Sequence, residues 1–350
     1  MMSKNNLPET EKAQETRKYA SACLIFNPVA GRGNPERDLE LIESILEPKL
    51  ELDIHFTSEE IGAAQLAGEA LERGAKLIIA SGGDGTVSAV ADALISSNVH
   101  LAVIPRGTAN AFAVSLGIPT NIQGACEVIL AGITRVISTA RCNGKPMLLL
   151  AGIGLEAETI AQADRSSKNR LGILAYILSA INQLQDLKSF ETRLERDEEV
   201  ISFSAVGVTV ANVAPPTSIL AQGPANLVPD DEFLDVTIFA PVTMLNAIAA
   251  SYHLLQTAFT GTPTERNDIG YLRVKKATID TDPPQKVVVD GEVIGTTPVF
   301  VEAIPHSLII MVPESQAAAP VEKLNGLPDL TVESMKDNNL SNSYSESPES

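Results

Sequence analysis

Leu77-Ile78-Ile79-Ala80-Ser81-Gly82-Gly83-Asp84-Gly85-Thr86 is the stretch from which the rest of this chain can be read. An apolar run enters a glycine turn directly, and Val87 to Ile95 then reads as a helix. A strand that ends in glycines and re-enters as a helix exposes backbone N–H groups where the helix dipole is positive, the layout of an anion site. Glycine lets the backbone approach a ligand closely. Asp84 adds a carboxylate able to orient a metal ion or to take a proton. Gly-Gly-Asp-Gly is equally good turn chemistry, so the flanking sequence must decide.

Upstream, Ala22 to Phe26 is an apolar run and predicts a strand, followed by a loop from Asn27 to Asn34. Asn34 and Pro35 suit the N-cap and first position of a helix with Leu39, Ile42, Ile45 and Leu46 on its apolar face. Leu50 to Phe56 alternates as a half-buried strand does, and Ser58 is placed to cap a helix running to Arg73, stopped by Gly74. Downstream, Leu101 to Ile104 predicts a fourth strand, and Thr108 to Leu116 a helix ended by Gly117 and Pro119. Strands alternating with helices of this length imply a parallel sheet covered on both faces. Ligands of such sheets sit at the carboxyl ends of the strands. The loops after Phe26, Ala80 and Ile104 all lie at those ends, so they point backbone donors into one crevice.

Past residue 133 the rhythm changes. Arg135 to Arg141, Asn143-Gly144 and Pro146 to Ala151 read as a hairpin, as do Val287 to Val289, Asp290-Gly291 and Glu292 to Ile294. Phe190 to Glu195 and Val200 to Ala211 are further strands around an acidic turn, Asp197-Glu198-Glu199. Leu171 to Leu187 and Val242 to Phe259 are the helices of this β-rich region. The expected organisation is a disordered segment over 1–18, an α/β domain over 19–133, a β-sandwich-like domain over 134–313, and a disordered acidic, Ser-rich tail over 314–350.

Composition narrows the function classes. The 350 residues carry a formal net charge of −18, which argues against nucleic acid as a partner and against a basic patch for anionic lipid. It leaves a lipid substrate open. Cys23, Cys126 and Cys142 are odd in number and show no C-x-x-C spacing, which fits a reducing, cytoplasmic setting. Residues 1–20 lack the apolar core of a signal peptide. Leu171 to Gln185 is short for a membrane span, and Val236 to Thr264 is interrupted by Pro241, Asn246, Ser251 and His253, so no transmembrane segment is expected.

Gly31 and Gly33 suggest a dinucleotide fingerprint, but Glu36 stands where its third glycine belongs. Walker A and protein-kinase patterns are absent. Gly82-Gly83-Asp84-Gly85-Thr86 followed by Pro105-Arg106-Gly107-Thr108-Ala109-Asn110 resembles the catalytic domain of diacylglycerol kinases, bacterial YegS-like lipid kinases in particular, in the superfamily that also holds the NAD kinases. Asn27-Pro28-x-x-Gly31, the glycine-rich Ala151 to Ala157, and Asp290-Gly291-Glu292 follow the same family order, so the resemblance spans residues 22–312.

The resemblance implies a two-domain kinase that uses ATP and Mg²⁺, holds the nucleotide in the cleft between an α/β and a β-sandwich domain, and phosphorylates a lipid hydroxyl in phospholipid metabolism. Phosphoryl transfer needs positioning and charge neutralisation more than covalent chemistry, which suits backbone N–H loops. Carried over residue by residue, Asn27, Pro28 and Gly31 would meet the nucleotide phosphates. Gly82, Gly83, Asp84, Gly85, Thr86 and Ser88 would wrap them, and Thr57, Thr108 and Asn110 would add contacts. Glu292 matches the proton acceptor for the lipid hydroxyl, with Asp84 as the second choice or as an indirect Mg²⁺ holder. Asp231, with the carbonyls of Val228 and Phe233, matches a structural Mg²⁺ site.

Several readings stay open at this level. Asn110 could cap locally, Glu292 could be an exposed turn residue, and Arg106 could meet a phosphate or pair with Asp84 or Glu292. Ala111 stands where the family often has Asp, and Glu232 replaces a usual glycine. These departures keep two alternatives alive, an NAD-kinase-like enzyme acting on a soluble metabolite and a non-catalytic nucleotide-binding protein.

Overall fold

The computed structural model describes residues 19–31, 33–155, 189–222, 231–260, 266–314, 323–324 and 326–334. The chain divides into two compact units, residues 1–137 with 306–316, and residues 138–305 with 317–350. The expected segment over 1–18 and helix over Leu171 to Leu187 lie outside the described residues.

The first unit is built on parallel strands β1 (Ser21–Phe26), β2 (Glu51–Phe56), β3 (Leu77–Gly82) and β4 (His100–Pro105), in the order β2-β1-β3-β4. The closing part of β16 (Val299–Met311) adds beside β4, in parallel, through Ile309 and Ile310. The sequence pattern places 306–313 in the second domain and 314–316 in the tail, because a single strand returning from far along the chain leaves no local signal. Helices α1 (Pro35–Leu46) and α5 (Ile122–Ala131) pack together, as do α2 (Ala63–Glu72) and α3 (Asp84–Leu94). Every residue of β3 is buried, as a parallel strand covered on both faces must be.

Local chemistry sets the helix ends. The Asn34 side chain accepts from the backbone N–H groups of Glu36 and Arg37, as expected, and such a cap is worth about 1 kcal/mol. Ser58 does not cap α2. Its hydroxyl accepts from Glu60 and Ile61 within its own turn, and the helix starts only after Gly62. The helix expected from Thr108 is reduced to α4 (Ala111–Ser115), because Asn110 is left-handed, with φ 49°. The expected pattern passed over α5, although Asn121 caps it and a left-handed Gly132 closes it.

The second unit is a β-sandwich. One antiparallel sheet has the order β12 (Ile269–Val274), β11 (Leu234–Phe239), β10 (Gly207–Ala211), β7 (Leu150–Gly154), β14 (Lys286–Val289) and β15 (Glu292–Thr296). The other runs β17 (Thr331–Ser334), β9 (Glu199–Ala205), β8 (Phe190–Arg196), β13 (Lys276–Asp282) and the opening part of β16. Ile153, Val210, Val236 and Leu272 from the first meet Leu194, Phe203, Ile279 and Val301 from the second in one core, as the inner faces of two packed sheets do. Both expected hairpin turns form, with positive φ at Asn143-Gly144 and at Asp290-Gly291, the type I′ requirement.

Strand β17 lies inside the stretch expected to be a disordered tail, and Leu327 just before it is buried in the core. Its few residues are too short a pattern to stand out from polar surroundings. Helix α6 (Met244–Thr260) buries Ala247, Ala250 and Leu254 against Val206, Phe239 and Ile269. Among the described residues, no helix is long and apolar enough to cross a membrane.

Candidate active site

In the first unit β1 lies between β2 and β3, so the sheet's winding reverses there. That reversal opens a crevice at the carboxyl ends of β1 and β3. Backbone bonds tie the strand ends into a row. Asn27 N–H donates to Ser81 at 2.9 Å, Thr57 N–H to Phe26 at 3.0 Å, and Arg106 N–H to Gly82 at 2.8 Å. The Asn27 side chain then fixes its loop to the first turn of α3. Its Nδ2 donates to Thr86 Oγ1 at 2.8 Å, and its Oδ1 accepts from Val29 N–H at 3.1 Å.

The glycines of these loops divide by physical role. A Cβ on Gly82 would sit 2.6 Å from the Thr86 side chain, and one on Gly107 only 2.7 Å from Gly83 Cα. Gly31, at φ +81°, would collide with the Arg106 carbonyl at 2.3 Å. These three are demanded by packing, Gly31 and Gly107 because loop meets loop at the backbone, and Gly82 because the Thr86 side chain lies over it. Gly85 differs. It lies in the first turn of α3, is exposed, and has nothing within 4 Å of where its Cβ would be. Gly83, the N-cap, makes no side-chain cap bond. Among the described residues, the first turn of α3 therefore combines donors that no side chain caps with open space around Gly85, as an anion site requires.

Two residues that invited a ligand are occupied within the loops. The buried Arg106 donates through Nε to Asp38 at 2.9 Å and through Nη1 to the Asn27 carbonyl at 2.8 Å, and stacks 4.1 Å over the Phe26 ring. Within the first unit it pairs with Asp38 and not with Asp84, one of the partners the sequence allows. Asn110 folds back on Gly107, accepting its N–H at 2.7 Å and donating to its carbonyl at 3.0 Å, so it shapes the loop. Asp84 is half-buried and one carboxylate oxygen accepts from Phe112 N–H at 3.3 Å. Pro28, Thr57 and Ser88 are half-buried and Thr108 is exposed, each in or beside the same row of loops.

In the second unit Glu292 opens the edge strand β15 with its side chain exposed. Its neighbour Asp290 is structural. The Asp290 carboxylate accepts from the N–H groups of Leu148, Leu149 and Leu150 at 2.8, 3.0 and 2.9 Å, which holds the entry to β7.

At the expected structural Mg²⁺ site the Asp231 carboxylate is already engaged. One Asp231 oxygen accepts from Phe233 N–H at 3.0 Å and the other pairs with the Arg273 guanidinium. Arg273 thus supplies the positive charge that a metal would bring, and it lies over the Phe233 ring. Val228 lies outside the described residues. Arg273 and Tyr271 also reach Asp235, a buried carboxylate whose second oxygen has no hydrogen-bond partner among the described residues. Burial pushes Asp235 up to about 7 against the pull of Tyr271 and Arg273. Sequence reading missed this network, because its members meet only through the pairing of β11 with β12.

Comparison with known proteins agrees with both units. The diacylglycerol kinase catalytic domain matches residues 21–142, and the YegS C-terminal NAD kinase beta sandwich-like domain matches residues 150–312. An uncharacterised Synechocystis protein is 47% identical over 307 residues, covering 85% of this chain and 71% of its own length. A Staphylococcus epidermidis diacylglycerol kinase is 30% identical, covering 79% of this chain and 87% of its own. A solved Bacillus anthracis structure assigned as a diacylglycerol kinase is 29% identical with a TM-score of 0.70, covering 85% of this chain and 98% of its own.

Proposed function

We propose that this chain, a kinase that belongs to the diacylglycerol kinase family, transfers the γ-phosphoryl group of ATP to a lipid hydroxyl of the diacylglycerol, phosphatidylglycerol or sphingoid class. The observation that carries the reading is the open first turn of α3 at the β1/β3 crevice, uncapped at Gly83 and unobstructed at Gly85.

The N–H groups of Gly83, Asp84, Gly85 and Thr86 cradle the phosphates, and Asn27 keeps that cradle in register through Thr86. Pro28 and Gly31 line the approach, and Thr57, Ser88 and Thr108 offer hydroxyls around it. Asn110 acts through loop shape. Asp84, with one carboxylate oxygen not held by Phe112, suits the Mg²⁺ that accompanies ATP and screens its charge. Glu292, exposed and without the buried anchoring of Asp290, takes the proton of the lipid hydroxyl as it attacks.

Support for a lipid acceptor comes from α6 and the residues before it, where Val242 is 77%, Leu245 79% and Tyr252 59% exposed. Exposed apolar side chains on one helix are a feature of surfaces that meet lipid. A cytoplasmic setting fits three cysteines that are all buried and free.

The test is transfer from labelled ATP with Mg²⁺ to dispersed diacylglycerol, phosphatidylglycerol and sphingoid bases, with NAD as a soluble acceptor. Lipid labelling that falls at least about a hundredfold in Glu292→Gln, with ATP binding retained, is expected. Label entering NAD alone would reassign the acceptor to a soluble metabolite. ATP binding without transfer to any acceptor would leave a nucleotide-binding protein.

A further inference from the structure

We propose that Cys23, Asp53 and His55 form a binding site for a borderline transition-metal cation of the zinc type, separate from the nucleotide loops. Cys23 on β1 is the register partner of Asp53 on the parallel strand β2, and His55 follows two positions on. Alternation along a strand puts all three side chains on one face of the sheet. Their ligating atoms, one sulfur, one carboxylate oxygen and one imidazole nitrogen, lie within 4.8 Å of one another.

The present contacts of His55 are in conflict. Its Nε2 is 2.8 Å from Asp53 Oδ2 and 3.0 Å from the Arg73 guanidinium. A neutral imidazole nitrogen carries either a hydrogen or a lone pair. With the hydrogen it satisfies Asp53 but opposes the arginine donor. With the lone pair it accepts from Arg73 but faces a carboxylate lone pair. No protonation state satisfies both neighbours. A metal ion in place of the guanidinium would satisfy all three donors, because thiolate, imidazole and carboxylate each offer it a lone pair.

Arg73 marks where that cation sits. It lies 3.4 Å from Asp53 Oδ2, also reaches Cys23, and its side chain is 45% exposed, so it can swing to solvent without leaving a buried charge. The mixed sulfur, nitrogen and oxygen set suits zinc and cobalt and disfavours Mg²⁺, which takes oxygen alone. Binding replaces the thiol proton by the metal and releases that proton. With three protein ligands, a water completes a tetrahedron. The ion would cross-link β1 to β2, whose carboxyl ends lead into Asn27 and Thr57.

Titrating Co²⁺ into the metal-free full-length chain tests this. A near-ultraviolet thiolate-to-cobalt charge-transfer band saturating at one equivalent, and bleached by Zn²⁺, is expected. It should vanish in Cys23→Ser and persist in Cys126→Ser and Cys142→Ser. Because Cys23 is buried, His55→Ala is the second variant, expected to weaken Co²⁺ binding by about tenfold or more. Arg73→Ala, which removes the competing cation, should tighten it. A folded chain that shows no thiolate band, a band that survives Cys23→Ser, or binding indifferent to His55→Ala would overturn the proposal.

Discussion

Asp235 is a buried side chain whose ionisation ties the stability of the second unit to pH. It is bonded to Tyr271 and Arg273 through one oxygen, and left with the other oxygen unpartnered among the described residues. Its folded value of about 7 lies above the ordinary carboxylate range, near 3.9 in an unfolded chain. Between those values the folded state holds more protons than the unfolded one, so this group's contribution to stability falls as pH rises. The contribution is full below about pH 4 and lost by about pH 7. Urea unfolding across that window should show a downward slope with pH that Asp235→Asn flattens. Equal slopes in parent and variant would mean that the carboxylate is ionised in the fold. Asp290 shows the opposite use of a carboxylate, three buried N–H groups satisfied at once. Asp290→Ala would leave those donors orphaned at about 1–3 kcal/mol each before relaxation. A denaturant midpoint close to the parent's would refute that accounting.

At the scale of one element, α3 separates packing from binding. Gly82, which precedes it, and Gly107, in the loop beside it, are excluded from carrying side chains by their neighbours, whereas Gly85 is not. Replacing a helical glycine with alanine removes backbone freedom from the unfolded chain and stabilises by about 0.4–1 kcal/mol where the space is free. Gly85→Ala should therefore raise the melting temperature of the chain while weakening ATP binding, because the added methyl enters the space assigned to phosphate. Gly107→Ala should lower both, since its Cβ meets Gly83 and Asn110. Unchanged ATP affinity in Gly85→Ala would move the phosphate away from this turn. Each variant adds one methyl group, so opposite effects would come from the surroundings alone.

For the molecule as a whole, charge and apolar exposure point to how a lipid would be met. A net charge of −18 repels anionic membranes at long range, so association has to come from apolar contact. Helix α6 contains no Asp, Glu, Lys or Arg, and it exposes Leu245, Ile248 and Tyr252 at one-face spacing. The chain should sediment with zwitterionic vesicles, and with anionic vesicles only as salt screens the repulsion. The paired change Leu245→Asp with Tyr252→Asp should abolish sedimentation while leaving ATP binding intact. Vesicle binding that persists in that variant would place the lipid contact elsewhere.

The alternating strands and helices, the glycine turns, the Asn34 cap and both Asn-Gly and Asp-Gly hairpins were legible in the sequence, because each follows from short-range sterics and hydrogen bonding within a few residues. The sequence thus determined the fold class and located the row of loops where a phosphate would sit. Tertiary structure alone decided what those side chains touch. Asp38 claimed Arg106, and Arg273 paired with the Asp231 carboxylate that a metal was expected to use. It also returned β16 to the first sheet and set Cys23 beside Asp53. These partners are far apart along the chain. Pairing over such distances is selected by packing and loop closure across the whole fold, and no local pattern records it.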